Sequence, residues 1–179
     1  MRVNVSQQLK GPIGSTRKYE VNEMVDVAGG QSQVRGEVEL VRTDKGILAG
    51  GTLDAEVEAT CSRCLGLFRC PLTLHIEEEY YPTTNIVSGA SLPPPEEPGS
   101  FTIDEHHVID LTEAVRQYIL MAIPMKPLCR QDCAGLCPSC GQNLNQGPCG
   151  CPPQEIDSRW SELKKVLASD TVANKRKGT

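Results

Sequence analysis

Residues 54–77 read DAEVEATCSRCLGLFRCPLTLHIE, and their pattern predicts a β-hairpin. Polar and apolar side chains alternate with a period of two on both sides of the first two cysteines, which is the pattern of half-buried β-strands. The turn that joins these strands carries Cys61 and Cys64, so the pair lies at the tip of a predicted hairpin. Two sulfurs that project from one turn are well placed to bind a metal ion.

The preceding residues continue the same pattern. Residues 34–41 alternate, Thr43-Asp44-Lys45-Gly46 is a turn signal, and Ile47 starts the returning strand. The first eighty residues are therefore expected to form an antiparallel meander that closes into a barrel or a strongly bent sheet. Four glutamates fall on the polar sides of the strands, where they indicate a solvated face and not catalytic carboxylates: Glu37, Glu39, Glu56 and Glu58.

A proline-rich segment separates this β-rich part from a helix. Residues 82–101 are expected to form a flexible acidic linker or loop, because proline removes hydrogen-bond donors and fixes φ. A helix is predicted over residues 110–123, with Asp110 as N-cap and Glu113 completing a capping box. Its apolar face is expected to contact the sheet through Leu111, Val115, Tyr118, Ile119 and Ala122. His106 and His107 precede the helix and are assigned no role.

Four more cysteines lie within fifteen residues, separated mainly by Gly, Pro and Asn: Cys137, Cys140, Cys149 and Cys151. Only Leu136 and Leu144 are apolar here, so the segment cannot fold by burying a core. Zinc coordination, with an apparent free energy of about 10–16 kcal/mol, would replace that core. A zinc knuckle is predicted. The alternatives are a redox dithiol, although such motifs usually open a helix, and a disulfide, although the N-terminus lacks an apolar signal region and indicates a reducing compartment.

The remaining cysteines form a second set. Cys61 and Cys64, together with Cys129 and Cys133, could make another four-thiolate site if the fold brings the two pairs together. Eight of the nine cysteines would then be used, which favours two zinc ions. The alternative is that the first pair is half-buried in strands and the second pair is a bystander. Cys70 is left as a small core residue.

The C-terminal region is predicted to contain a short amphipathic helix and a disordered basic tail. Ile156, Trp160, Leu163 and Leu167 share one helical face, and residues 169–179 end in a Lys/Arg cluster. The expected fold class is thus α+β: a β-meander or barrel-like body with one packed helix in residues 1–133, followed by the knuckle and terminal helix in residues 134–168.

Composition limits the function classes. The chain has 179 residues, a formal net charge of −5 and only 4% aromatic residues. This charge argues against wholesale capture of nucleic acid but leaves room for a local basic surface. No apolar run is long enough to span a membrane. The sequence contains no Gly-rich phosphate loop, nucleophile elbow or zinc-hydrolase helix motif, so we expect no enzyme and no small-molecule substrate.

The combined spacing of these motifs resembles the YceD family, the large ribosomal RNA subunit accumulation proteins. The segments that carry the resemblance are residues 61–65, 109–111, 123–124, 129–141, 143–145 and 149–151. In some family members the second knuckle is absent and the region of Cys129 and Cys133 carries histidines. That pattern implies that Cys61 and Cys64 join Cys129 and Cys133, and that the Cys137–Cys151 knuckle is a separate site.

The resemblance implies a role in making or keeping large-subunit ribosomal RNA, in the bacterial cytoplasm or in plastids. The expected partners are this RNA, its precursor or a ribosomal protein. Cations that flank the thiols are the candidate RNA contacts: Arg63, Arg69, Lys126 and Arg130. The same residues could instead neutralise the excess negative charge of bound thiolates. A different function, that of a thiol-based redox or zinc-responsive regulator, also stays open.

Overall fold

The computed structural model describes residues 1–27, 30–95, 98–152 and 160. Its strands are β1 (Arg2–Asn4), β2 (Thr16–Val27), β3 (Gly30–Arg42), β4 (Ile47–Thr60), β5 (Leu67–Pro82), β6 (Phe101–Ile103) and β7 (Val108–Asp110). The helices of the described part are α1 (Ser6–Leu9) and α2 (Thr112–Ala122). Within these residues the chain is mostly β-structure with few helices.

One five-stranded sheet dominates the structure, in the order β2-β3-β4-β5-β6. Strands β2 to β5 pair antiparallel with their sequence neighbours, whereas β6 pairs parallel to β5. The hairpin expected around Cys61 forms between β4 and β5, and its last pair is Thr60 with Leu67. In the described residues this sheet runs from an edge at β2 to an edge at β6, so it is open and not a closed barrel.

One face of the sheet is buried. Alternate residues of β3, β4 and β5 are inaccessible to solvent, among them Val34, Leu53 and Leu74. Helix α2 packs on this face through Leu111, Val115 and Ile119, all at most 2% exposed, while Tyr118 and Ala122 contact the core at its margin. The predicted apolar face of the helix is therefore the one that contacts the core.

The start of α2 differs from the prediction. Leu111 is the N-cap and makes no side-chain capping bond. Asp110 belongs to β7, and its carboxylate accepts a hydrogen bond from the Thr112 backbone N–H at 3.0 Å. Glu113 does not reach back to complete a capping box, because its carboxylate accepts hydrogen bonds from Arg116 and Gln117 further along the helix. The helix ends at Ala122, since Ile123 is extended ahead of Pro124.

The segment between β5 and β6 is more regular than a linker in its described part. Thr84 and Ser91 form an isolated antiparallel bridge. The side chain of Asn85 accepts hydrogen bonds from the backbone N–H groups of Val87 and Ser88, which builds a local turn. This turn follows the end of β5 and precedes β6.

The chain divides into two compact units, Met1–Cys133 and Ala134–Thr179. No helix in the part of the chain that the structure describes is long and apolar enough to cross a membrane. The predicted terminal helix lies outside the described residues except for Trp160, and the predicted basic tail lies outside them entirely.

Candidate metal centres

The first unit brings four cysteines together, which we call the first thiol cluster: Cys61, Cys64, Cys129 and Cys133. Two come from the tip of the β4–β5 hairpin, and two come from the segment that follows α2. A backbone hydrogen bond of 2.8 Å from Ser62 N–H to the Pro127 carbonyl holds the two segments side by side. The pairs are separated by more than sixty residues in sequence, yet the fold places them in one site.

The sulfur positions fit a tetrahedral metal. All four Sγ atoms lie within 4.8 Å of one another. The Cys61–Cys133 and Cys64–Cys129 sulfurs are each 3.8 Å apart. A tetrahedron with Zn–S bonds of about 2.3 Å has S–S edges of about 3.8 Å. A disulfide bond needs about 2.05 Å, and all nine cysteines are free thiols.

Backbone N–H groups favour a thiolate in this cluster. Those of Cys129 and Cys64 point at the Cys61 sulfur and lower the pKa of Cys61 to about 6. Desolvation, together with the neighbouring sulfurs, raises the pKa of Cys129 to about 12. Four thiols this close cannot all ionise without a compensating charge, because each thiolate opposes the next. A divalent cation would supply that charge and release the remaining protons.

The turn that carries Cys61 and Cys64 has a constrained backbone. Cys61 N–H donates to the Gly66 carbonyl and Leu65 N–H donates to the Cys61 carbonyl, both at 2.9 Å. These bonds require Leu65 to adopt φ of +56°, a left-handed conformation that favours glycine. Leu65 is also 64% exposed, so its side chain gains little from burial. The sequence pattern did not indicate this conformation at Leu65.

The second unit contains the second thiol cluster: Cys137, Cys140, Cys149 and Cys151. Their sulfurs also lie within 4.8 Å of one another. The turn repeats the bonds of the first cluster, with Cys137 N–H donating to the Gln142 carbonyl at 2.8 Å and Gly141 N–H to the Cys137 carbonyl at 2.9 Å. Here the left-handed position, with φ of +73°, is a glycine.

The electrostatics of the second cluster also repeat those of the first. Backbone N–H groups of Cys140 and Ser139 lower the pKa of Cys137 to about 6. The sulfur of Cys140, with desolvation, raises the pKa of Cys151 to about 12. In both clusters backbone N–H groups thus lower the pKa of the first cysteine of the Cys-x-x-Cys pair.

Two asparagines stabilise the second cluster and were not singled out for this role from the sequence. The Asn145 carboxamide oxygen accepts a 2.9 Å hydrogen bond from Ala134 N–H, at the start of the unit. The Asn143 side chain accepts bonds from the backbone and the side chain of Asn145. The spacing Asn-x-Asn shortly after the Cys137–Cys140 pair is the signal that could have indicated this role, because asparagine side chains often replace backbone acceptors in turns.

Exposure distinguishes the two clusters. In the first, Cys61, Cys64 and Cys133 are buried and Cys129 is exposed. In the second, only Cys137 is buried, Cys140 is exposed, and the other two are intermediate. Small reagents therefore reach the second cluster more readily.

The cations near the first cluster have different surroundings. The Arg63 guanidinium donates to the Cys133 carbonyl at 3.0 Å. Arg130 forms an ion pair of 3.5 Å with Asp132, and Lys126 is exposed. Arg69 projects from β5 onto the solvated face of the sheet and pairs with Glu56 at 2.9 Å. Arg63, Lys126 and Arg130 therefore lie next to the thiols in the two cluster segments, whereas Arg69 lies among carboxylates.

Cys70, His106 and His107 lie outside both clusters. Cys70 is buried in the hydrophobic core. His106 is exposed and lies 3.7 Å from Glu105, and His107 adopts φ of +58° in the turn before β7.

Comparison with known proteins identifies the family of this chain and several relatives. A family model described as large ribosomal RNA subunit accumulation protein YceD matches residues 49–167, which include all eight clustered cysteines. An uncharacterized protein of Mycobacterium tuberculosis is 33% identical over 135 residues, covering 74% of this chain and 62% of that protein. A Mycobacterium leprae protein is 31% identical over 134 residues, covering 74% and 58%. This chain thus spans less than two thirds of these mycobacterial relatives.

Plant proteins are similar over a shorter region. The protein of Arabidopsis thaliana named large ribosomal RNA subunit accumulation protein YCED homolog 1, chloroplastic, is 33% identical over 55 residues, 31% of this chain and 17% of its own length. Its maize namesake is 37% identical over 60 residues, 33% and 20% of the two chains. No solved structure matches.

Proposed function

The chain belongs to the YceD family, and we propose that it is a non-catalytic, zinc-binding factor that supports the accumulation of large-subunit ribosomal RNA. The observation that carries the proposal is the pair of four-thiol clusters within a chain whose family and plant relatives are named for this RNA. The proposed setting is the bacterial cytoplasm, and the proposed partner is the RNA, its precursor or a ribosomal protein.

Zinc is the metal that suits both clusters. Cys61, Cys64, Cys129 and Cys133 would hold one ion, and Cys137, Cys140, Cys149 and Cys151 the other. Four thiolates close the coordination sphere, so each zinc ion would supply structural crosslinks and no reactive water. The first cluster would join the β4–β5 hairpin to the segment after α2, and the second would order residues 137–151, which include few apolar side chains.

The proposed binding surface is the region around the first cluster. Arg63, Lys126 and Arg130 lie in the two segments that the Ser62–Pro127 hydrogen bond holds together. A cation on a crosslinked turn loses little conformational freedom when it contacts a phosphate. Arg63 also holds the Cys133 carbonyl, so Lys126 and Arg130 are the better residues for testing binding without disturbing the cluster.

The test is a complementation experiment. A bacterial strain depleted of this protein is supplied with the wild-type chain or with the Lys126→Glu/Arg130→Glu variant. The ratio of large- to small-subunit ribosomal RNA is then measured. The control variant is Lys10→Glu/Lys45→Glu, which makes the same charge change at two exposed residues elsewhere. We expect loss of large-subunit RNA and of co-sedimentation with its precursors only in the first variant. Binding should also weaken with salt, because phosphate neutralisation releases counterions.

A second candidate function is a thiol-based or zinc-responsive regulator, which the exposure of Cys129 and Cys140 favours. The two functions differ in their response to hydrogen peroxide. A regulator should lose zinc at low peroxide and change its partner binding at the same dose. A structural protein should keep its zinc and its partner under those conditions.

A further inference from the structure

The solvated face of the main sheet is strongly acidic. We call the outward-pointing residues of β2 to β5 the outer face; they alternate with the buried residues of each strand. The outer face carries nine carboxylates: Glu20, Asp26, Glu37, Glu39, Asp54, Glu56, Glu58, Glu77 and Glu79. Against them stand three cations, Lys18, Arg35 and Arg69, which gives a net charge of −6. The whole chain has a formal charge of −5, so this face accounts for all of its negative excess.

Two of the three cations are already paired on this face. Lys18 lies 2.7 Å from Glu37, and Arg69 lies 2.9 Å from Glu56. Glu20 is directly opposite Glu37 across β2 and β3. Carboxylates that face each other across a sheet destabilise it, so fold stability does not account for this pair.

The outer face is also concave at one end. An open depression of about 680 Å³ is lined by both charged and apolar residues, among them Asp54, Glu56, Glu58, Arg35, Arg69, Met24 and Pro71. Met24 is 55% exposed. The carboxylates of this depression outnumber its arginines by one. Together with the exposed apolar atoms they fit the charged head and the stem of lysine or arginine side chains, which need both kinds of contact.

We propose that the outer face docks a Lys/Arg-rich polypeptide segment. Charge complementarity carries the choice of occupant: nine carboxylates attract a cationic peptide and repel the phosphates of RNA. The inference rests on the proposed function for its setting, since the segment would belong to a protein of the assembling large subunit. Its chemistry rests on the outer face alone. The chain would thus use two surfaces, with cations near the first thiol cluster for phosphate and the outer face for a basic polypeptide.

The experiment is a binding titration of the full zinc-loaded chain. The probe is a fluorescent peptide of about twelve residues in which arginine and glycine alternate. Asp54→Lys/Glu58→Lys reverses two charges in the depression. Asp44→Lys/Glu105→Lys makes the same charge change at exposed residues off the outer face. We expect the Kd to rise about tenfold or more in the first variant and less than about twofold in the second. If the reversed variant does not fold, Asp54→Asn/Glu58→Gln takes its place.

Three results would overturn the inference. The first is equal weakening in both variants, which would mean that only net charge matters. The second is a failure of the wild-type chain to bind the peptide. The third is binding of a single-stranded oligouridine of the same length to the wild-type chain but not to the Asp54→Asn/Glu58→Gln variant. The outer face would then bind RNA and not a basic peptide. If depletion of the chain left the ratio of large- to small-subunit ribosomal RNA unchanged while the peptide still bound, the proposed function would be wrong and the outer-face inference would stand.

Discussion

The guanidinium of Arg63 donates a 3.0 Å hydrogen bond to the carbonyl oxygen of Cys133, seventy residues later in the chain. It also lies 3.4 Å from the Gln131 carbonyl. The backbone bond from Ser62 to Pro127 makes a second connection between the same two segments. The hairpin tip is therefore joined to the segment after α2 by protein contacts as well as by the first thiol cluster.

Replacing Arg63 should loosen this connection. Arg63→Ala should lower the free energy of unfolding of the zinc-loaded first unit by about 1 kcal/mol, because it removes a charged donor from a partly buried carbonyl. Arg69→Ala, which breaks only the exposed pair with Glu56, should change it by less than about 0.5 kcal/mol. Urea denaturation measures both. Equal effects of the two substitutions would show that the Arg63 bond has no special role.

Leu65 should be replaceable by glycine. Because Leu65 has φ of +56°, Leu65→Gly should remove backbone strain and stabilise the hairpin tip by up to about 1 kcal/mol. Leu67 is similarly exposed but lies in β5, so Leu67→Gly should destabilise the protein by about 0.5–1 kcal/mol. Thermal melting of the two variants gives the comparison. A loss of stability in Leu65→Gly as large as that in Leu67→Gly would contradict the strain argument.

The two thiol clusters should respond differently to loss of one ligand. Cys61 is fully buried between the hairpin and the segment after α2, so Cys61→Ser should abolish cooperative melting of the first unit. Cys140 is exposed within the second unit, so Cys140→Ser should leave the melting of the first unit near that of the wild type. Each variant should lose one zinc ion by elemental analysis. Unfolding of both units in Cys140→Ser would show that the clusters are not independent.

Asp110 should make stability depend on pH at the acidic end. Burial alone would raise the pKa of Asp110, but hydrogen bonds from Thr112 and Arg2 outweigh it and hold the pKa at about 2. A carboxylate with a lowered pKa stabilises the folded state above its unfolded value of about 3.9, and this contribution disappears as the pH falls towards 2. Asp110→Asn should therefore cost about 1 kcal/mol at pH 7, after allowing for a partly exposed group, and nearly nothing at pH 2. A constant difference between wild type and variant from pH 6 to pH 2 would exclude this role.

The periodicity of apolar residues predicted the elements whose residues are close together in sequence. The period-two alternation around Cys61 predicted the β4–β5 hairpin, and the spacing of Leu111, Val115 and Ile119 predicted the buried face of α2. No local pattern relates Cys61 and Cys64 to Cys129 and Cys133, because the two pairs are far apart in sequence. Their proximity was expected only because it would use eight of the nine cysteines and because the family resemblance implied it.

Features that depend on long-range pairing were not predicted. Strands β1, β6 and β7 have three residues each, too few to show a period, and they exist because a distant segment completes their hydrogen bonds. The predicted capping box at Asp110 is absent for the same reason, because pairing of β7 with β1 places Asp110 in a strand. The left-handed Leu65 was missed because the rule for such positions expects glycine, as at Gly141.

X-ray absorption at the zinc edge of the purified full chain, combined with elemental analysis, shows whether each thiol cluster binds one zinc ion through sulfur alone. Two four-thiol clusters predict two zinc ions per chain, each with four sulfur neighbours at about 2.3 Å. A single zinc ion, or a first shell that contains nitrogen or oxygen, would contradict the account of two closed thiolate sites.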